Sequence, residues 1–159
     1  MGIEPMFDPK KLAKDKARLF ETRFEKALVY VLNKLGMELV NTARESRTYT
    51  DRTSNLTNSI GYVVLKKGAI VSHGGEQKGK GENDKEGELE AISLYKKLSQ
   101  INKYDYSLAI VAGMNYAAYV EAKGYNVLLP AELKANLEFR TRMAELIKKT
   151  DNELKRMLK

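Results

Sequence analysis

Tyr62-Val-Val-Leu-Lys-Lys-Gly-Ala-Ile-Val-Ser72, YVVLKKGAIVS, decides the fold class. Two β-branched runs flank Lys66-Lys67-Gly68, and Gly68 is free to take the positive φ of a tight turn. The stretch predicts a β-hairpin set among helical patterns.

Upstream, Pro9 to Arg47 reads as one long helix, with Phe20, Phe24, Leu28, Val31, Leu35 and Leu39 at helical spacing as its core stripe. Lys10, Lys11, Lys14, Lys16 and Arg18 crowd its first turns, where the helix dipole slightly disfavours cations, and they read as a solvated face. Between helix and hairpin, RTYTDRTSNLTNSI, Arg47 to Ile60, is rich in side chains that bond to nearby backbone. It predicts a loop and one helical turn capped by Thr53 or Ser54, with Leu56 and Ile60 pointing inward.

Downstream, a helix is expected from about Glu88 to Gln100, with Leu89, Ile92, Tyr95 and Leu98 along one side and Glu86, Glu88 and Glu90 near its start. Tyr106 to Ala112 alternates larger and smaller side chains and predicts a strand ended by Gly113. Tyr116 to Gly124 reads as a short helix whose Tyr116, Tyr119 and Val120 form a packing face, with Gly124 as the residue just past its end. Tyr125 to Leu129 is extended into Pro130, which opens a last helix to about Met157 with Leu133, Leu137, Ala144, Ile147 and Leu154 as its stripe. The order predicts a single α+β domain over residues 1–159: a small antiparallel β-sheet packed against long N- and C-terminal α-helices.

With 159 residues, 43% hydrophobic, the chain can build one core, and a net charge of +7 leaves a basic surface. No apolar run approaches the roughly 18 to 20 residues that cross a bilayer, and the N-terminal stretch lacks the apolar centre of a signal peptide. A cytoplasmic protein, or an assembly formed there, is expected. The sequon Asn55-Leu56-Thr57 is then incidental. Cysteine is absent and His73 is the single histidine, so no cysteine or histidine cluster for zinc is available.

Gly74 to Gly81, GGEQKGKG, has the outline of a phosphate-binding loop. Such a loop needs a Ser or Thr after its lysine and a helix that starts there, but Gly81 stands at that place and charged, turn-prone residues follow. A flexible loop over about residues 73–87 is the better reading. Glu121 and Glu132 can approach one another, yet two carboxylates without a metal pattern are more often surface or capping groups. His73 on a glycine-rich loop lacks the rigid support that catalysis needs. No catalytic residue, cofactor or metal site is expected.

Two segments carry a resemblance. Arg52-Thr53-Ser54-Asn55-Leu56 leads to Ser59-Ile60 and a strand, and Tyr116-Ala117-Ala118-Tyr119-Val120-Glu121 precedes Gly124 and Pro130-Ala131. In this order and spacing the chain resembles the siphophage neck and tail-completion proteins, the small head–tail joining proteins of tailed phages and prophages. Ser54 replaces the family's glycine, Ala122-Lys123 delay the glycine after Glu121, no Thr follows Gly124, and the region from His73 to Lys103 is larger than usual.

The resemblance implies a non-enzymatic virion protein, located in the host cytoplasm during assembly, that forms a ring, a hexamer, between connector and tail tube. Its partners would be other head–tail junction and tail proteins, with non-specific contact to passing DNA and none to membrane. It marks Arg52, Thr53, Asn55, Leu56, Ser59, Tyr116, Tyr119, Val120, Glu121, Gly124 and Pro130 as family-motif and assembly candidates. Arg52 and Glu121 are expected in an intramolecular ion pair or a cap, and Leu56 and Tyr119 are expected to be buried. The flexible loop would be ordered on assembly. The alternative is a small basic nucleic-acid-binding domain. Against it, the seven basic residues from Asp8 to Lys26 are interspersed with four acidic ones, so no clean patch forms. A third reading, an enzyme using the Gly-Lys loop on a phosphate, lacks the loop's missing parts.

Overall fold

The computed structural model describes residues 8–77 and 86–157. Its centre is β1 (Ile60–Lys66), which pairs antiparallel with β2 (Ala69–Gly74) on one side and β3 (Ser107–Ala112) on the other, giving the order β2-β1-β3. Lys67 and Gly68 close the hairpin as a two-residue turn, with φ of 50° and 84°; this pattern matches the right-handed twist of the flanking strands.

Both faces of β1 are covered, so its side chains are almost continuously buried and it lacks an apolar and polar alternation. Ile60, Tyr62 and Val64 face α1 (Pro9–Glu45), where Leu32, Leu35, Leu39, Val40 and Ala43 meet them. Val63 and Leu65 face the other way, toward Ala91 and Tyr95 of α3 (Glu86–Ile101). Each fully buried valine contributes about 1.5–3 kcal/mol of transfer free energy. Close approach of α1 is possible because a Cβ at Gly36 would lie only 2.5 Å from the Tyr62 ring.

Asp8 caps α1, its Oδ1 accepting from the Lys10 amide at 2.9 Å, and Pro9 follows in the first turn. The one-turn α2 is Asn55–Asn58 and the short α4 is Ala117–Ala122. The last helix, α5 (Leu129–Met157), lies antiparallel to α1: Lys134 reaches Thr42, Arg142 reaches Glu38, and Leu154 and Met157 share a crevice with Leu12 and Phe20. At 37 residues α1 is about 55 Å long, against about 23 Å for β1. Its first turns, Pro9 to Thr22, therefore extend past the sheet, and among the described residues they meet the far end of α5.

Three expectations are corrected here. On α5, Leu133, Leu137, Ala144 and Ile147 face solvent, and Leu154 is half-buried; the inward side is Ala131, Ala135, Met143 and Leu146. Small side chains let two helices approach, so α1 meets the alanine side and leaves the larger leucines outside. On α3, Leu89 is exposed, because Gly87, Ala91 and Tyr95 face inward. His73 and Gly74 belong to β2, and Glu86 and Gly87 to α3, so the ends of the expected loop over 73–87 are regular structure. Its centre, 78–85, lies outside the described residues.

Candidate functional site

The two motif segments meet at one end of the sheet. Leu56, Met114, Ala117 and Val127 form a small core, with Tyr49, Val120 and Leu128 against it. Ser59, fully buried, ties the first segment to the turn that precedes the second: its carbonyl accepts from the Gly113 amide at 3.1 Å, and its Oγ donates to Leu56 O at 2.8 Å while facing the Met114 amide at 3.4 Å. A serine here satisfies backbone groups that burial would otherwise orphan.

Leading into α2, neither expected residue caps in the ordinary way. Ser54 occupies the cap position in the left-handed conformation, φ 59°, and its side chain makes no cap bond. Thr53 Oγ1 lies 3.5 Å from the Asn55 amide, at the limit of a hydrogen bond. The effective acceptor is Asp51, whose Oδ2 takes the Thr57 amide at 2.7 Å. Arg47 and Tyr49 both reach Thr57 Oγ1, at 3.0 and 3.5 Å, and burial pushes the Tyr49 hydroxyl pKa up.

Arg44 is the organiser that sequence reasoning missed. From the last turn of α1 its guanidinium donates to Thr57 O at 3.2 Å, to Ile60 O at 2.9 Å and to Gly75 O. Three carbonyls from three segments thus converge on one cation, and burial lowers the arginine's pKa from its very high ordinary value. The available signal was positional: Arg44 follows Val40 by four residues, so it continues the buried side of the helix.

Glu121 acts as a cap. Its carboxylate accepts from the amides of Val127 at 3.3 Å, Leu128 at 2.6 Å and Leu129 at 3.3 Å, where α5 begins and Pro130 occupies the first turn. Glu132 lines the same shallow pocket of about 200 Å³, but the Glu121 oxygens are already committed to backbone. Asn126 completes the joint, with Thr48 Oγ1 accepting its amide at 2.9 Å and Ser46 O its side-chain nitrogen at 3.1 Å.

The remaining candidates divide by burial. Asn55 and Leu56 are buried, Val120 and Pro130 half-buried, and Arg52, Thr53 and Gly124 exposed, with Gly124 at φ 85° just past α4. Tyr116 and Tyr119 are corrections: both are exposed, Tyr119 to 64%, and they form no packing face. Helix α4 presents Ala117 and Val120 inward, which turns Tyr119 out beneath the Lys123 ammonium, 5.1 Å from its ring centre.

A second polar cluster stands on the α3 side. His73 Nδ1 lies 2.6 Å from Glu76 Oε1, and Tyr95 donates to Glu76 Oε2 at 2.8 Å, with the two rings 5.3 Å apart. His73 is therefore anchored at the end of β2, contrary to the expectation of a loop histidine. Burial and the Glu76 carboxylate push the Tyr95 pKa strongly up, so its hydroxyl remains a donor. Among the described residues no three carboxylate or imidazole groups are placed to hold a metal ion. Lys80 and Gly81 lie outside the described residues, and α3 opens with Glu86 and Glu88, charges that repel phosphate from a helix N-terminus.

The chain matches no protein-family model, no curated protein and no solved structure. No described helix is long and apolar enough to cross a membrane. Chemically the joint offers caps, buried amides and one multiply bonded arginine, a set suited to holding segments in register.

Proposed function

We propose that the protein is a structural component of the head–tail junction of a tailed phage or prophage, assembling as a ring between connector and tail tube with other junction and tail proteins. The observation that carries this reading is the joint itself. The two short motifs lie about sixty residues apart in sequence, yet they pack as one unit through Leu56, Ser59, Ala117 and Val120. Ser59 fixes the first motif to the turn before the second, and Glu121 fixes the second to the start of α5, so the residues that carry the resemblance form one bonded unit.

The exposed parts of the motifs, Arg52, Tyr116 and Tyr119, are the assembly surface in this reading, because aromatic and arginine side chains supply much of the binding free energy of interfaces. The exposed basic first turns of α1 offer sequence-independent contact with DNA in this reading.

Deletion of the gene from the genome that carries it, followed by electron microscopy of the lysate, tests the proposal. The expected result is separate DNA-filled heads and tails, or tails of abnormal length, with whole particles restored by the gene in trans. Normal infectious particles would exclude the junction role and turn attention to nucleic-acid binding, measured as salt-dependent retention of DNA.

A further inference from the structure

Helix α5 carries two apolar faces, and among the described residues only one of them is packed. Ala131, Ala135 and Leu146 pack inward, while Leu129, Leu133, Leu137 and Ile147 stand in solvent on the opposite side, Leu137 to 78% and Ile147 to 61%. An unpartnered apolar face of this length marks an interaction site.

The sequence along that face identifies its occupant. Leu133, Leu137, Arg140, Ala144, Ile147 and Asp151 succeed one another at alternating spacings of four and three, the seam of a coiled coil. The two charged members are opposite in sign and lie symmetrically about the midpoint between Glu145 and Leu146. If a second copy of the helix is laid antiparallel across that midpoint, each Arg140 faces the Asp151 of the other copy, and each Ala144 faces an Ile147. A parallel pairing would set arginine against arginine and aspartate against aspartate. All four of these side chains are exposed, and Asp151 already holds a cation, Lys155, at 2.6 Å.

We infer that the outer face of α5 is a self-association surface, on which two copies of this chain pair as an antiparallel, two-fold symmetric dimer. The contact is isologous and closes on itself, so it is distinct from the head-to-tail contacts that make a ring. It does not depend on the junction role: the dimer is a property of the helix face whatever the protein joins.

Sedimentation of the full chain from low micromolar to about 100 μM should show a monomer–dimer equilibrium. Leu137→Asp, at a largely exposed position, should shift it to monomer with an unchanged circular dichroism spectrum. The decisive arm is a charge swap. Arg140→Asp alone and Asp151→Arg alone should each be monomeric, because like charges then face one another, whereas an equimolar mixture of the two variants should form a heterodimer. The chain has no cysteine, so Asn136→Cys can carry a single spin label. Antiparallel pairing puts the two labels about 30 Å apart along the axis, and parallel pairing about 10 Å apart. A monomer throughout, a dimer indifferent to Leu137→Asp and to the charge swap, or the short label distance would each overturn the inference.

Discussion

Glu121 holds Leu128: the carboxylate Oε2 lies 2.6 Å from the Leu128 backbone nitrogen, across the turn that joins α4 to α5. With Val127 and Leu129 also donating to this side chain, one carboxylate serves amides that a helix start leaves without partners. Glu121→Ala should destabilise the fold by about 1–2 kcal/mol, as loss of a helix cap does. Glu121→Gln should recover part of that, since its amide oxygen still accepts. Urea denaturation of the three proteins checks the order; equal stability of all three would remove the capping role.

At Ser54 the backbone holds a non-glycine residue in the left-handed region. The strain is about 1–2 kcal/mol, and the extra unfolded-chain freedom of a glycine costs about 0.5–1 kcal/mol. Ser54→Gly should therefore stabilise the protein by several tenths to about 1 kcal/mol, read as a rise in Tm. Ser54→Val should do the opposite, because a β-branched side chain resists that conformation.

Arg142 lies between Glu38 of α1 and Glu138 of its own helix, 2.5 Å from Glu138 Oε2. The hydrogen bond from Arg142 holds the Glu38 carboxyl below its ordinary pKa. A carboxyl depressed in the folded state contributes stability that is present above its unfolded pKa, about 4.3, and is lost as pH falls through the folded value. Wild type should thus lose stability progressively below about pH 4.5. Arg142→Met should flatten this acid limb and cost about 1 kcal/mol at neutral pH, a figure kept small by the pair's partial exposure. Equilibrium unfolding at a series of pH values measures both effects, and an unchanged acid limb in the variant would show that the bridge is not the cause.

The two faces of α5 predict opposite outcomes for two leucines at dilute protein concentration. Leu146→Ala empties a buried position against α1 and should cost about 2–3 kcal/mol. Leu137→Ala should change monomer stability by less than about 0.5 kcal/mol. Chemical denaturation of both variants settles which side the helix buries.

The hairpin, the third strand and every helix were legible because their signals are local: β-branched runs around Lys67-Gly68, helical spacing in α1, and Gly113 and Gly124 as stops. What was not legible depends on which side of an element its neighbour occupies. The apolar spacing of α5 is real, but spacing cannot tell a core face from an outer one, and the alanines that meet α1 give a weaker signal than the leucines that do not. Tyr119 failed for the same reason, since α4 turns its small side inward. At the joint, the burial of Leu56 and the capping by Glu121 follow from their sequence setting, whereas the roles of Arg44 and Asp51 do not. Their partners are backbone carbonyls and amides, which nearly every residue carries, so the one signal was Arg44's place four residues after Val40.

The overhang of α1 beyond the sheet has a mechanical consequence. Pro9 to Thr22 is a cantilever about 21 Å long, braced on one side by the far end of α5. A swing of about 10° where the helix leaves the sheet carries its tip through about 4 Å, roughly two-thirds of a helical turn. Any rotation where the helix leaves the sheet is therefore felt most strongly, as displacement, at Pro9.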